Sequence, residues 1–304
     1  MICVSILMFC IVLGACSIRE KAEDTTDNIA RTTRKIVREI TFAGDGLKKV
    51  VAVVRFEDKS LQAHEKFMRT FHEDVMAYLK ANCEELIVTE SGALTQLPKL
   101  ASGQTDNYAL AVIGRQLGVN AIIAGNLNNI RPKDEEQGIL WTKDTHYSIE
   151  VTIRSEIYDT QTATKTLDES YAENVEIDEN QYRLIQEEGV YSEPQIKEAL
   201  GRLVSEMSDR VCETLDEQSW HGFITAIKTD KITVSTGGPV GLKPGDVLEV
   251  FESGQVLEGL DGQRFISPGL KTAEIEIVAV SEKEAEANTF PGQEIKTGFI
   301  VRKK

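Results

Sequence analysis

The sequence predicts an α/β fold, a mixed sheet with flanking helices in two or three layers, followed by a small all-β barrel. Three observations predict it. Residues 50–56, Val-Val-Ala-Val-Val-Arg-Phe, form a β-branched run of the kind that marks a strand buried on both faces. Helical and extended patterns then alternate up to about residue 217. From Gly222 the apolar period is two, and no helical pattern returns.

The first element in the chain is a leader. Residues 2–15 are almost wholly apolar, end in Leu13-Gly14-Ala15, and are followed by Cys16 and an abrupt polar turn. A spanning helix needs about 20 apolar residues, so this run is short for an uncleaved anchor and fits the apolar centre of an export signal. Leu13-Gly14-Ala15-Cys16 resembles the lipobox of bacterial lipoproteins. That resemblance implies a signal peptide over residues 1–16, a diacylglyceryl group on the Cys16 thiol, and, with Ser17 next to it, sorting to the outer membrane. Residues 17–47 are polar and read as a tether, although the alternation in Ile36-Val37-Arg38-Glu39-Ile40-Thr41-Phe42 also suits an edge strand.

Residues 48–217 read as the α/β domain. After the first strand, Glu57-Asp58-Lys59-Ser60 breaks the run, with Ser60 placed as a helix N-cap. Phe67, Phe71, Val75 and Tyr78-Leu79 follow at helical spacing. Leu86-Ile87-Val88 is a second strand, residues 105–117 a second helix stopped by Gly118, and residues 119–125 a third buried strand. Tyr147, Ile149, Val151, Ile153 and Ile157 then share one face of a long strand, with Glu150, Thr152 and Arg154 on the other. Asp159-Thr160-Gln161-Thr162 turns it into a return strand through Leu167, Glu169 and Tyr171. Past turn residues near Pro194, Ile196, Leu200, Leu203-Val204, Met207, Val211 and Leu215 make the cleanest amphipathic helix of the chain.

Residues 218–304 read as the barrel. Strands are expected at 223–227, 232–234, 247–251, 272–280 and 299–302, with turns at Gly237-Gly238-Pro239 and Lys243-Pro244-Gly245-Asp246. The glycines of Gly237-Gly238-Pro239-Val240-Gly241 read as turn residues supplying positive φ. They are not read as a phosphate cradle, because no Lys-Ser/Thr follows and no helix opens there.

Composition excludes some functions. With 41% hydrophobic and 27% charged residues, the chain has the make-up of a folded protein. A formal charge of −15, none of it in the leader, repels phosphate backbones and excludes nucleic acid as the expected partner. Cys3 and Cys10 leave with the leader and Cys16 takes lipid, so Cys83 and Cys212 remain in a compartment that permits disulfides. Both a Cys83–Cys212 bridge and two buried free thiols fit the sequence, the latter being the plainer reading.

No catalytic constellation emerges. His64 and His72 lie eight residues apart with no carboxylate motif between them, which is not a zinc spacing. The acidic stretch 169–188 lacks a calcium-loop pattern and reads as solvated surface. No Gly-x-Ser-x-Gly elbow occurs. Trp141 and Trp220 read as residues packed at a domain edge, or as partner anchors. No enzyme activity, cofactor or metal is expected.

Two further resemblances concern the folded part. The first strand, residues 117–125 (Leu-Gly-Val-Asn-Ala-Ile-Ile-Ala-Gly) and the hairpin with Asp159 at its turn resemble the module shared by the TolB N-terminal domain, the curli protein CsgG and the penicillin-binding-protein activator LpoB. Gly222-Phe-Ile-Thr-Ala-Ile, Ile232-Thr-Val and residues 241–250 are similar to the SH3-like C-terminal domain of the flagellar assembly FlgT family. The order of the two domains matches that family as well. This implies a non-enzymatic envelope lipoprotein acting in flagellar basal-body assembly. Because FlgT proteins are soluble and carry a further N-terminal domain, an LpoB-like activator of a peptidoglycan synthase and a CsgG-like secretion component remain open. Expected partners are outer-membrane lipid, through Cys16, and basal-body ring or penicillin-binding proteins, with self-association open. A strand pair crossing the membrane is not expected: the return strand presents Lys165, Glu169 and Glu173 on one face and Asp168 on the other.

Overall fold

In the computed structural model, β1 (Lys49–Val53) is an interior strand of the sheet and is buried on both faces, as its β-branched run predicts. The structure describes residues 46–304 except 61–64, 91, 93, 95, 139–142, 190, 192, 229–230 and 290–293. The leader, Cys16, the tether as far as residue 45 with its stretch 36–42, His64 and Trp141 therefore lie outside the described residues. After β1 come β2 (Glu57–Asp58), α1 (Glu65–Asn82), β3 (Leu86–Glu90), α2 (Asn107–Leu117) and β4 (Ala121–Gln137). β5 (Asp144–Asp159), β6 (Lys165–Ile177), α3 (Glu179–Glu188) and α4 (Glu193–Asp216) complete the α/β part. The sheet runs β3-β1-β4-β5-β6, with the short β2 also on β4. Contacts among β1, β2, β3 and β4 are parallel, and β4-β5-β6 is antiparallel.

Helices cover both faces. Val51 and Val53 pack with Phe71, Val75 and Leu79 of α1 and with Leu203, Met207 and Val211 of α4. Ala52 and Val54 face the other way, toward Leu110 of α2. The inward face of β5, Ile149, Val151, Ile153 and Ile157, joins the first of these cores, so the hairpin's apolar side is consumed against helices. Asp106 caps α2 by accepting from the Ala109 N–H at 3.0 Å, and Gly118 ends it in the left-handed region at φ 70°. The hydroxyl of Ser60 donates to Asp58 at 2.6 Å, and the stretch that links Ser60 to α1 is outside the described residues.

Three features depart from the sequence reading. β4 does not end at residue 125 but continues to Gln137 and pairs with β5 along its whole length. Apart from Leu127 and Ile130, residues 126–137 are polar and include Pro132, so their pattern does not announce a strand. Beyond Leu127 they have a strand on one side only among the described residues, where proline is tolerated. Second, the latter part of the acidic stretch folds as α3, begun by a capping box between Asp178 and Gln181. Third, Pro194 is not a turn residue but lies in the first turn of α4, where its missing N–H is harmless.

The remaining strands are β7 (Gly222–Lys228), β8 (Lys231–Val234), β9 (Val247–Phe251), β10 (Val256–Glu258), β11 (Arg264–Ile266), β12 (Lys271–Val280), β13 (Ala285–Thr289) and β14 (Ile300–Lys303). Six of them close an antiparallel barrel in the order β12-β13-β8-β7-β14-β9. Its core holds Trp220, Ile224, Leu248, Ile275 and Val301. Trp220 is thus an interior residue, 1% exposed. β10 and β11 form a separate two-stranded ribbon that the sequence reading missed. Of Gly237, Gly238 and Gly241, only Gly241 has positive φ. Gly237 is required for space, since a Cβ there would lie 2.3 Å from the Ser281 carbonyl oxygen. Among the described residues, no helix is long and apolar enough to cross a membrane.

Candidate functional site

Polar chemistry concentrates where the sheet meets the barrel, and the two parts belong to one compact unit, Leu47–Lys304. Asn120, just before β4, is the pivot. Its main-chain N–H donates to the Val50 carbonyl at 2.7 Å, and its side-chain oxygen accepts from the Val50 N–H at 2.9 Å. Its amide nitrogen then donates to the carbonyl of His221, the residue before β7, at 2.6 Å. One side chain therefore closes the β1 ladder and ties the sheet to the barrel. Leu47, Val50 and Ile87 add apolar contact with the barrel core, and the Lys48 N–H donates to the Val240 carbonyl at 2.8 Å.

The β5–β6 turn sits in the same junction. Arg115 of α2 donates through Nε to the Thr160 carbonyl at 2.8 Å and through Nη2 to that of Gln161, with its guanidinium 5.6 Å from the Phe223 ring centre. The Thr160 hydroxyl lies 2.6 Å from the Val119 carbonyl, 2.9 Å from that of Asn120, and 3.2 Å from Nε2 of His221. Thr160 and His221 are both buried. Burial pushes the His221 imidazole down to about 4, the Arg302 and Arg115 charges act in the same direction, and Asp159 opposes them. His221 is therefore neutral at pH 7. Gly114 and Gly118 let α2 come this close: a Cβ on Gly114 would sit 2.3 Å from Thr160 Cγ2, and one on Gly118 would sit 2.8 Å from the Ser235 carbonyl.

The β10–β11 ribbon makes a second link, reaching from the barrel to α2. Arg264 lies 3.3 Å from the Asp106 carboxylate and 4.3 Å from the Tyr108 ring centre. Gln263 donates to the Thr105 carbonyl at 2.8 Å, and the Ile266 N–H to that of Thr162 at 2.8 Å.

Between these links lies a pocket of about 230 Å³. Asp159, Thr162, Thr164 and Thr166 line it from the hairpin, Gln218, Ser219 and His221 from the segment entering the barrel, and Arg302 from β14. Chemically, this arrangement can hold a polar molecule. The Thr160 hydroxyl is committed to main-chain carbonyls and has no exposed surface.

The residues singled out from the sequence fall elsewhere. Cys83, after α1, and Cys212, in α4, are joined by a disulfide with Cα atoms 5.5 Å apart; the sequence left this pairing and free thiols both open. His72 is buried with neither ring nitrogen hydrogen-bonded, 3.7 Å from Glu90. Among the described residues, no group of three or more His, Cys, Asp or Glu could hold a metal ion. In the acidic stretch, Glu169 pairs with Arg210 at 3.1 Å and Glu173 with Arg202 at 2.7 Å, so α4 supplies the countercharge. The junction residues Arg115, Thr160 and His221 were not found from sequence. Asn120 and Thr160 stood only in segments quoted for their fold.

No family model matches the chain, and no curated protein matches it. Solved structures do. A hypothetical protein from Chlamydia trachomatis is 14% identical with a TM-score of 0.35, over 55% of this chain and 98% of its own. A PelC dodecamer from Paraburkholderia phytofirmans is 12% identical with a TM-score of 0.32, over 56% and 90%. A lipoprotein from Neisseria meningitidis is 12% identical with a TM-score of 0.29, over 54% and 99%. Likenesses at these scores carry no argument about the task of this chain.

Proposed function

We propose that the chain is a non-enzymatic lipoprotein of the Gram-negative envelope, held at the periplasmic face of the outer membrane through acylated Cys16. Its task is to act as an assembly or scaffold factor for an envelope machine. The observation that carries this reading is the Cys83–Cys212 cross-link, which belongs to an oxidising compartment and is independent of the leader. It agrees with an apolar run that stops at Ala15 before a cysteine. Several acyl chains, at about 0.8 kcal/mol per buried methylene, would make the attachment effectively permanent.

The machine we favour is the flagellar basal body. A mixed sheet with flanking helices followed by a closed barrel is the domain order of the FlgT family, and six antiparallel strands are compatible with an SH3-like barrel. The two parts, linked through Asn120, Arg115 and the ribbon, would present their outer surfaces to protein partners as one body. The lipobox favours a second reading, an activator of a peptidoglycan synthase in the manner of LpoB, since FlgT proteins lack the anchor. Affinity purification of the tagged, full chain from solubilised envelopes separates the two. Recovery of basal-body ring proteins supports the first and recovery of penicillin-binding proteins the second. Ring-shaped particles of the chain alone would point instead to a CsgG-like secretion component.

A further inference from the structure

We propose that the junction pocket is a binding site for a free α-amino acid, whose ammonium group meets Asp159 and whose carboxylate meets Arg302. This goes beyond the envelope reading and does not rest on it. Two charged groups of opposite sign line the pocket, and neither takes part in an ion pair within 4.0 Å among the described residues. Asp159 spends one carboxylate oxygen, Oδ2, on the N–H and hydroxyl of Thr162, which leaves Oδ1 for a donor. Arg302 lies with its guanidinium 5.1 Å from the Phe251 ring centre, and its Nε is buried with no hydrogen-bond partner. Arg302 itself lines the pocket, and a guanidinium there offers a ligand carboxylate charge-assisted hydrogen bonds.

The walls narrow the class further. At about 230 Å³ the pocket is smaller than the ~300 Å³ at which pockets for drug-sized ligands begin. Among the described residues no Phe, Tyr or Trp lines it, so they offer no such face on which a sugar ring could stack. The Asp159 carboxylate repels phosphate. A compact molecule carrying both a cation and an anion fits what remains, with Thr166 and Ser219 as neutral polar walls. Since the pocket is walled by both the hairpin and the barrel, an occupant bridges the two parts.

Equilibrium dialysis of radiolabelled alanine against the full-length protein in detergent tests this, with acetate and ethylamine as competitors that each carry half of the recognised group. Saturable binding is expected, with each half-ligand about tenfold or more weaker, the equivalent of one charge-assisted contact. Asp159→Asn and Arg302→Gln, checked for folding by circular dichroism, are each expected to weaken binding by at least about tenfold. Should either variant fail to fold, competition on the unaltered protein still decides. Absence of saturable binding, acetate binding as tight as alanine's, or a folded variant with unchanged affinity would overturn the assignment.

Discussion

The two places where distant parts of the chain are locked together use opposite physics. Between α1 and α4 the contact is mainly apolar, built from Phe71, Val75, Leu79, Leu203 and Met207 beside a Tyr78–Ser205 hydrogen bond, and is fixed by one covalent bond between Cys83 and Cys212. Between sheet and barrel the apolar contact of Leu47, Val50 and Ile87 is joined by a polar seam of Asn120, Thr160, Arg115 and a buried His221. An apolar face is indifferent to pH but responds to reduction of its cross-link. A hydrogen-bonded seam is indifferent to reductant but responds when its one buried imidazole takes a proton. The two locks can therefore be opened separately.

The largest effect is expected from the cross-link. It closes a loop of 129 residues, for which chain entropy predicts about 5 kcal/mol of stabilisation. The double variant Cys83→Ser/Cys212→Ser should lose most of that in urea unfolding, and reductant should affect the unaltered protein alone. Equal stability with and without reductant would break this side of the comparison.

Next comes acid. His221 holds a proton less readily when folded, about 4 against an ordinary 6.5, so its contribution is complete above pH 6.5. That contribution is lost as pH falls from 6.5 toward 4, reaching on the order of 3 kcal/mol. Burial also lowers His72, with the same sign, so the difference between the unaltered protein and His221→Gln isolates the seam. If both profiles fall in parallel from pH 7 to 4, the seam is not the acid-sensitive lock.

Smaller effects sharpen the map. Gly118→Ala forces a side chain into the left-handed region and toward the Ser235 carbonyl, with an expected loss of about 1–3 kcal/mol. Asp106→Ala removes both the α2 cap and the anchor of Arg264, at about 1 kcal/mol. Hydrogen exchange should then rise in the ribbon and α2 and stay unchanged in α4. Loss of protection in α4 instead would mean that the two locks are coupled.

What was legible in the sequence was local. The β-branched run of β1, the αL glycine after α2, the period-two faces of β5 and the apolar stripe of α4 each state their own burial, and each is found. The far half of β4 was not legible because its residues have poor strand propensity and are held extended by β5. α3 left a signal in Asp178 and Gln181 that could have been read as a capping box. The junction left almost none. Asn120 and His221 are 101 residues apart and meet only once sheet and barrel have formed, so no spacing rule relates them.

The most direct test of the proposed role is metabolic labelling with radiolabelled palmitate, followed by separation of inner and outer membranes. The account predicts label on the mature chain in the outer-membrane fraction, lost in Cys16→Ser. An unlabelled product recovered from the cytosol with residues 1–15 still attached would contradict it.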